Sequence, residues 1–268
     1  MKQIMILLIL VISISLGAFT NLLKRPESVV YVEELEAFLI SNKSGGFIVK
    51  MTEEGVQTVF NNDLISVRGI VQVDSLLYCA AEGGVFGISI NTGKLVVEIP
   101  INDAQFFNDI AWGGDDYLYV TDTEANRVVR VNRNTGQNNP IIVSGLSKPN
   151  GIYYDEVENR LLIVSMIEKS PIIEFRLEKG MMSTIRTTKL SNLDGIARDA
   201  NGYWYVSSWK TGTIYTFDKD FTGKPRKFIT HQKGPADISY FAKDNAIIIP
   251  NFKGNIVKFA GVRDDYKF

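Results

Sequence analysis

Short apolar strands separated by Gly, Asn and Asp turns follow one another along nearly the whole chain, and one stretch sets the pattern. LDGIARDANGYWYVSSWKTGTIYTF, from Leu193 to Phe217, begins with a polar residue, Asp194, then a glycine and a short apolar strand. An Asp-Ala-Asn-Gly turn leads to an aromatic strand over Tyr203 to Val206, and a Thr-Gly turn to a third strand over Thr213 to Phe217. Strand, turn, strand, turn, strand is an antiparallel meander. Such a unit cannot bury both of its faces alone, so its value as a fold signal depends on repetition.

The phrase recurs as FNDIAWGGDDYLYVTD from Phe107, PNGIYYDEVENRLLIVS from Pro149 and PADISYFAKDNAIIIPN from Pro235, with weaker copies from Val67 and Pro26. Aligning the residue before the Gly, Asp or Ser of each copy gives the column Glu27, Arg68, Asn108, Asn150, Asp194 and Ala236. The spacings are 41, 40, 42, 44 and 42 residues. This period predicts an all-β fold, a six-bladed β-propeller with four-stranded antiparallel blades around a central channel. Glu33 to Phe38, EELEAF, has helix-favouring residue types, but register with the other copies places Ala37 to Ser41 as the second strand of blade one. Blade six stops after Asn255 to Phe259, so its outer strand is expected either from Phe19 to Lys24 or from the tail Val262 to Phe268.

Ahead of the repeats, Met1-Lys2 followed by the apolar run Ile4 to Leu16 and the small residues Gly17 and Ala18 reads as a secretory signal peptide. The expected division is a leader over residues 1–20 and a single propeller domain over 21–268, secreted or periplasmic. No clean cleavage site is present and Leu22-Leu23 extend the apolar character, so an uncleaved membrane anchor stays open. A formal charge of −1 with 45% hydrophobic residues is ordinary for one soluble domain, here expected to be a monomer. No basic run provides a footprint for nucleic acid. The single cysteine, Cys79, lies in the apolar strand Leu76 to Ala80 and reads as a buried, inert thiol.

In a propeller the innermost strand of each blade lines the channel, so the six column residues should converge at its mouth. Glu27, Asn108, Asn150 and Asp194 would bring together two carboxylates and two amide carbonyls from four blades. An all-oxygen set suits Ca²⁺, or another hard divalent cation, better than zinc or copper. The competing reading is that Asn and Asp are turn formers bonding their own backbone. The companion column places Gly69, Gly151 and Gly195 beside Asp109 and Asp237; its glycines fit tight backbone, and its aspartates read as structural caps or, alternatively, ligands of a second ion.

With these residues in place, the phrases FND, KPNGI and LDGIARDANGYWYVSSW and the Glu of PES resemble the senescence marker protein (regucalcin), gluconolactonase and luciferin-regenerating enzyme family, over about Pro26 to Phe259. The resemblance implies a divalent cation on Glu27, Asn108, Asn150 and Asp194. It also implies a hydrolase of a small-molecule lactone or related ester, with Asp194 as general base or nucleophile; for Asp194 a purely ligating role stays open. The chain departs from the sugar-lactone hydrolases where they carry an Arg two residues before the first metal Asn; here that place is Phe106. Arg68 is a candidate for an anionic substrate group, against a salt bridge to Glu27 or Asp194. Glu124 and Trp209 are candidates for the substrate wall, as are Asp122, Ser165 and Ser208. The lone histidine, His231, supports neither a histidine pair nor a catalytic triad. A non-catalytic propeller of the NHL-repeat kind, binding a protein or glycan, is the alternative, with a strictosidine-synthase-like propeller behind it.

Overall fold

The computed structural model describes residues 20–262. All but the last position of the expected leader, and the tail beyond Val262, lie outside the described residues. Six antiparallel sheets follow one another along the chain, five of four strands and one of three. Within blade five the order is Leu193–Arg198, Trp204–Ser208, Thr213–Phe217 and Arg226–Ile229, running from the channel to the rim. The innermost strands of the other blades are Pro26–Val32, Ile70–Val73, Phe107–Trp112, Pro149–Asp155 and Ser239–Phe241. Each touches the innermost strands on either side, and the first meets the last, which closes the ring.

Burial explains the layering. The second strand of each blade, such as Ala37–Asn42 or Trp204–Ser208, is buried along its length because both faces pack against neighbouring blades. The outermost strands alternate or are open, as in Met181–Arg186. Each of the six hydrophobic clusters fills one blade–blade interface. Between blades four and five, Trp204 lies edge-on to Tyr153 at 5.3 Å and stacks on Phe221 at 5.3 Å. No blade could bury its own faces, so the core exists only as shared interfaces.

Blade one behaves as register requires: EELEAF forms only a single 3₁₀ turn, Glu33–Leu35, before the strand Ala37–Asn42. The αL backbone of Glu36, φ 46°, ends that turn. Blade six corrects one expectation, since residues 20–25 add no strand to it. Instead this segment straps the seam: Asn21 Nδ2 donates to the Asn255 carbonyl at 2.8 Å, Arg25 N–H to Asn255 Oδ1 at 2.8 Å, and Lys24 N–H to Asn42 Oδ1 at 2.6 Å. Leu23 is buried in the cluster that joins Phe38 and Ile40 of blade one to Phe241 and Ile248 of blade six. Hydrophobic packing, with Phe38 against Phe241 and Phe259, therefore closes the ring among the described residues. Cys79 is fully buried, and burial pushes its thiol up.

Candidate functional site at the channel mouth

The innermost strands do not run straight past the channel. In blades one, three, four and five the pairing with the second strand slips at the column residue: between Pro26 and Val29, Phe107 and Ile110, Pro149 and Ile152, and Leu193 and Ile196. A bulge puts two residues opposite one, which re-aims side chains and strands a backbone N–H. In alternate blades a hydroxyl on the second strand takes up that N–H. Ser41 Oγ accepts from Ser28 N–H at 3.0 Å, Thr121 Oγ1 from Asp109 N–H at 3.0 Å, and Ser207 Oγ from Gly195 N–H at 2.7 Å. Each hydroxyl then donates to the column carbonyl of the following blade, Arg68 at 2.5 Å, Asn150 at 2.7 Å and Ala236 at 2.8 Å. Three hydroxyls thus tie blade one to two, three to four and five to six at the column.

The companion column supports the structural reading. A Cβ on Gly151 would lie 2.1 Å from the Asp194 carbonyl oxygen, and one on Gly195 2.4 Å from the Ile238 nitrogen, so neighbouring inner strands approach too closely for a side chain there. Asp109 accepts Ile110 N–H and, across the blade boundary, Ile152 N–H at 2.7 and 2.8 Å. Asp237 accepts the Ser28 hydroxyl at 2.5 Å across the closing seam. Both are staples between blades.

At the mouth, Glu27, Asn108, Asn150 and Asp194 all line one cavity of about 480 Å³. All four are buried. Asn108 Nδ2 donates to Thr123 Oγ1 at 3.3 Å while that hydroxyl donates to the Pro149 carbonyl at 2.7 Å, which leaves Asn108 Oδ1 for the cavity. Asp194 Oδ1 is buried without a hydrogen-bond partner. Among the described residues the Glu27 carboxylate makes no hydrogen bond or salt bridge; burial pushes it up to about 7, with Lys43 opposing and Asp237 adding to the rise. Asp194 is held well above the usual carboxylate range by burial first, then by Glu27, Asp237 and Asp109. Unpaired buried acceptors are costly to leave unsatisfied. Among the described residues no cluster of three or more His, Cys, Asp or Glu is placed to hold a metal. A cation here would draw on both amide oxygens as well as both carboxylates, a hard set of four with charge −2 that fits Ca²⁺ completed by water.

No protein-family model matches the chain, and no curated protein matches it. Solved structures do. A gluconolactonase from Xanthomonas campestris superposes with TM-score 0.74 at 16% identity, covering 87% of this chain and 85% of that one. Regucalcin from Agrobacterium tumefaciens, described as a calcium-binding protein, gives 0.71 at 16% identity, with 86% and 82% covered. A catalytically inactive H270A virginiamycin B lyase from Staphylococcus aureus gives 0.65 at 18% identity, with 88% and 80% covered. What these share with the chain is the β-propeller fold. The neighbours include the gluconolactonase and regucalcin propellers that the sequence resembles.

The remaining predicted wall residues divide. Phe106, Glu124 and Trp209 line the same cavity as the four acceptors. Arg68 does not: its guanidinium donates to the Phe107 carbonyl at 2.7 Å and to Ser66 Oγ at 3.0 Å, and stacks 3.8 Å from the Phe106 ring. It forms no salt bridge to Glu27 or Asp194. Asp122, Ser165 and Ser208 are buried connectors; Asp122 accepts Phe106 N–H and pairs with Arg127. His231 is exposed beside Thr230. Sequence reasoning missed Arg25, Lys43, Lys148 and Phe252, which also line the cavity. Arg25 and Lys148 stand two residues before Glu27 and Asn150, a column that the repeat alignment contains but that shows no common residue type.

Proposed function

We propose that the protein is a divalent-cation-dependent hydrolase of a small lactone or related ester. The observation that carries this reading is the buried, unpartnered Asp194 Oδ1 beside Glu27, Asn108 and Asn150 at one cavity. A protein that used this mouth only for recognition would have little cause to leave such acceptors without partners. The fold is also that of a gluconolactonase and of a calcium-binding regucalcin, which supports the reaction class without fixing it.

When bound, a cation of this kind supplies Lewis-acid polarisation of a carbonyl oxygen. The chain's own residues do the rest. Asn108, clamped by Thr123, and Asn150, anchored through Thr121, hold fixed acceptors at the floor. Asp194 can take a proton from a water at Oδ1 as general base, because that buried oxygen has no protein partner to occupy it. Phe106 and Trp209 provide apolar walls that limit water around the reacting ester.

The test is a panel of lactones and phosphotriesters assayed with calcium-loaded and chelated protein, beside Asp194→Asn. The reading expects turnover that chelation abolishes and that Asp194→Asn reduces by roughly a hundredfold or more, the scale of a lost general base. Calcium binding without hydrolysis of any member of the panel would favour the propeller as a binding module.

A further inference from the structure

We infer that the substrate carries a carboxylate, held at the mouth between Arg25 and Lys43; this deepens the hydrolase reading above and rests on it. The two residues come from adjacent positions of the rim. Lys43 N–H donates to the Arg25 carbonyl at 3.1 Å, joining the start of the innermost strand to the end of the second. Their cationic groups share one aromatic ring: the Arg25 guanidinium and the Lys43 ammonium each lie 5.7 Å from the Phe252 ring centroid. Lys43 also lies 5.1 Å from the Phe106 ring, on the wall where the sequence lacks the arginine of sugar-lactone hydrolases.

Charge balance gives this pair its meaning. The ionisable side chains lining the cavity are Arg25, Lys43 and Lys148 against Glu27, Glu124 and Asp194. Lys148 and Glu124 pair with each other at 3.5 Å. Glu27 and Asp194 are matched by the divalent cation in the loaded site. Arg25 and Lys43 then have no counter-charge, and neither forms a salt bridge among the described residues. Two like charges facing one ring repel each other unless an anion lies between them. The aromatic walls Phe106, Phe252 and Trp209 call for an organic anion rather than a bare mineral one.

The repeat backbone sets where these side chains start. Arg25 adopts φ 55° and Lys148 φ 44°, the left-handed conformation that Ser66, Asn192 and Gly234 also adopt at the same position of their repeats. Asparagine side chains from other blades pin both: Asn255 Oδ1 accepts Arg25 N–H at 2.8 Å and Asn126 Oδ1 accepts Lys148 N–H at 2.7 Å.

The experiment compares calcium-loaded wild type with an Arg25→Gln/Lys43→Gln variant, using γ-carboxy-γ-butyrolactone and its carboxamide for turnover. Calorimetry with the non-hydrolysable lactams pyroglutamate and pyroglutamamide reads binding alone. Wild type is expected to favour the carboxylate in both assays, and the double variant to lose roughly tenfold to hundredfold of that preference, the scale of charged hydrogen bonds. Arg25→Lys with Lys43→Arg should keep most of it, and thermal melting checks that each variant folds. Pyroglutamate binding no tighter than pyroglutamamide, absent binding included, overturns the inference, as does a preference that survives in the double glutamine variant. If neither lactone turns over yet pyroglutamate binding is selective and lost in the variant, the hydrolase reading fails and the anion site stands. If both lactones turn over without carboxylate preference, the hydrolase reading stands and the anion site fails.

Discussion

Blades two and five are copies of one repeat, and they treat the channel mouth in opposite ways. In blade five the column residue is Asp194, buried with an oxygen unpartnered. In blade two it is Arg68, which commits its guanidinium to the Phe107 carbonyl, to Ser66 and to the Phe106 ring, outside the cavity lining. The bridges to the next blade differ as well. Gly195 N–H reaches the Ala236 carbonyl through Ser207, whereas Gly69 N–H donates directly to the Asn108 carbonyl at 2.7 Å, and Ala80 stands where Ser207 would be. One architecture therefore produces an open ligating blade or a closed spacer blade by changing the column residue, while the hydroxyl bridge alternates around the ring independently of it. Four open blades around one closed one and the apolar Ala236 of blade six give a site with a defined side.

The largest effect should come from the packing beneath that difference. Trp204 of blade five and Leu77, its counterpart in blade two, are both fully buried, but the indole also meets Tyr153 edge-on and stacks on Phe221. Trp204→Ala should cost about 3–5 kcal/mol, and Leu77→Ala, which removes fewer buried atoms and no ring stacking, less than that, by urea unfolding. Equal costs would mean that the two blades carry the ring alike. Next, calcium at a hundredfold excess over its dissociation constant should stabilise the wild type by about 2.7 kcal/mol, a rise of roughly 5–10 °C in melting temperature for a domain of this size. Asn150→Ala should abolish the rise and Arg68→Met should keep it; loss in Arg68→Met would erase the distinction between open and closed blades. Smaller again, Ser207→Ala strands Gly195 N–H and the Ala236 carbonyl and should cost about 1–3 kcal/mol.

The comparison can also be sharpened through pH. Burial raises Glu27 and Asp237 to about 7 in the cation-free protein, so the folded state binds protons more tightly than the unfolded one there. Stability is then greatest below about pH 4, as far as these groups contribute, and declines as pH rises through about 7. Thermal melting in chelator between pH 5 and 8 should show that decline, and calcium should flatten it. A chelated protein that instead gains stability across this range would show that the acidic floor is not destabilised by ionisation.

Much of this was legible in the residues. Each blade is a local meander whose strands and turns are specified within about forty residues, so the period, the strand Thr213–Phe217 and the column Glu27, Asn108, Asn150 and Asp194 could be read directly. That these four line one cavity follows from ring closure. The helix-favouring EELEAF yielded to register because its strand packs between the neighbouring blades on both faces. The fourth strand expected for blade six did not come from residues 20–25, because backbone bonds to Asn42 and Asn255 and burial of Leu23 hold that segment as a strap.

The rest depended on contacts between residues far apart in sequence. Ser41, Thr121 and Ser207 look like ordinary strand residues until the bulges opposite them and the carbonyls of the next blade are both in place. Arg25 and Lys148 are not themselves Gly or Asn, so their left-handed backbone shows in the sequence only through their repeat counterparts Asn192 and Gly234, and asparagines from other blades hold their N–H groups. Arg68 could not be assigned because its partner, the Phe107 carbonyl, is backbone and has no residue identity to read. The sequence by itself determined the repeat, the strands and the four acceptors, since these are local patterns of apolar and polar positions. Only the tertiary structure decided which side chains are left without partners and which cations meet over Phe252, because both depend on the closed ring.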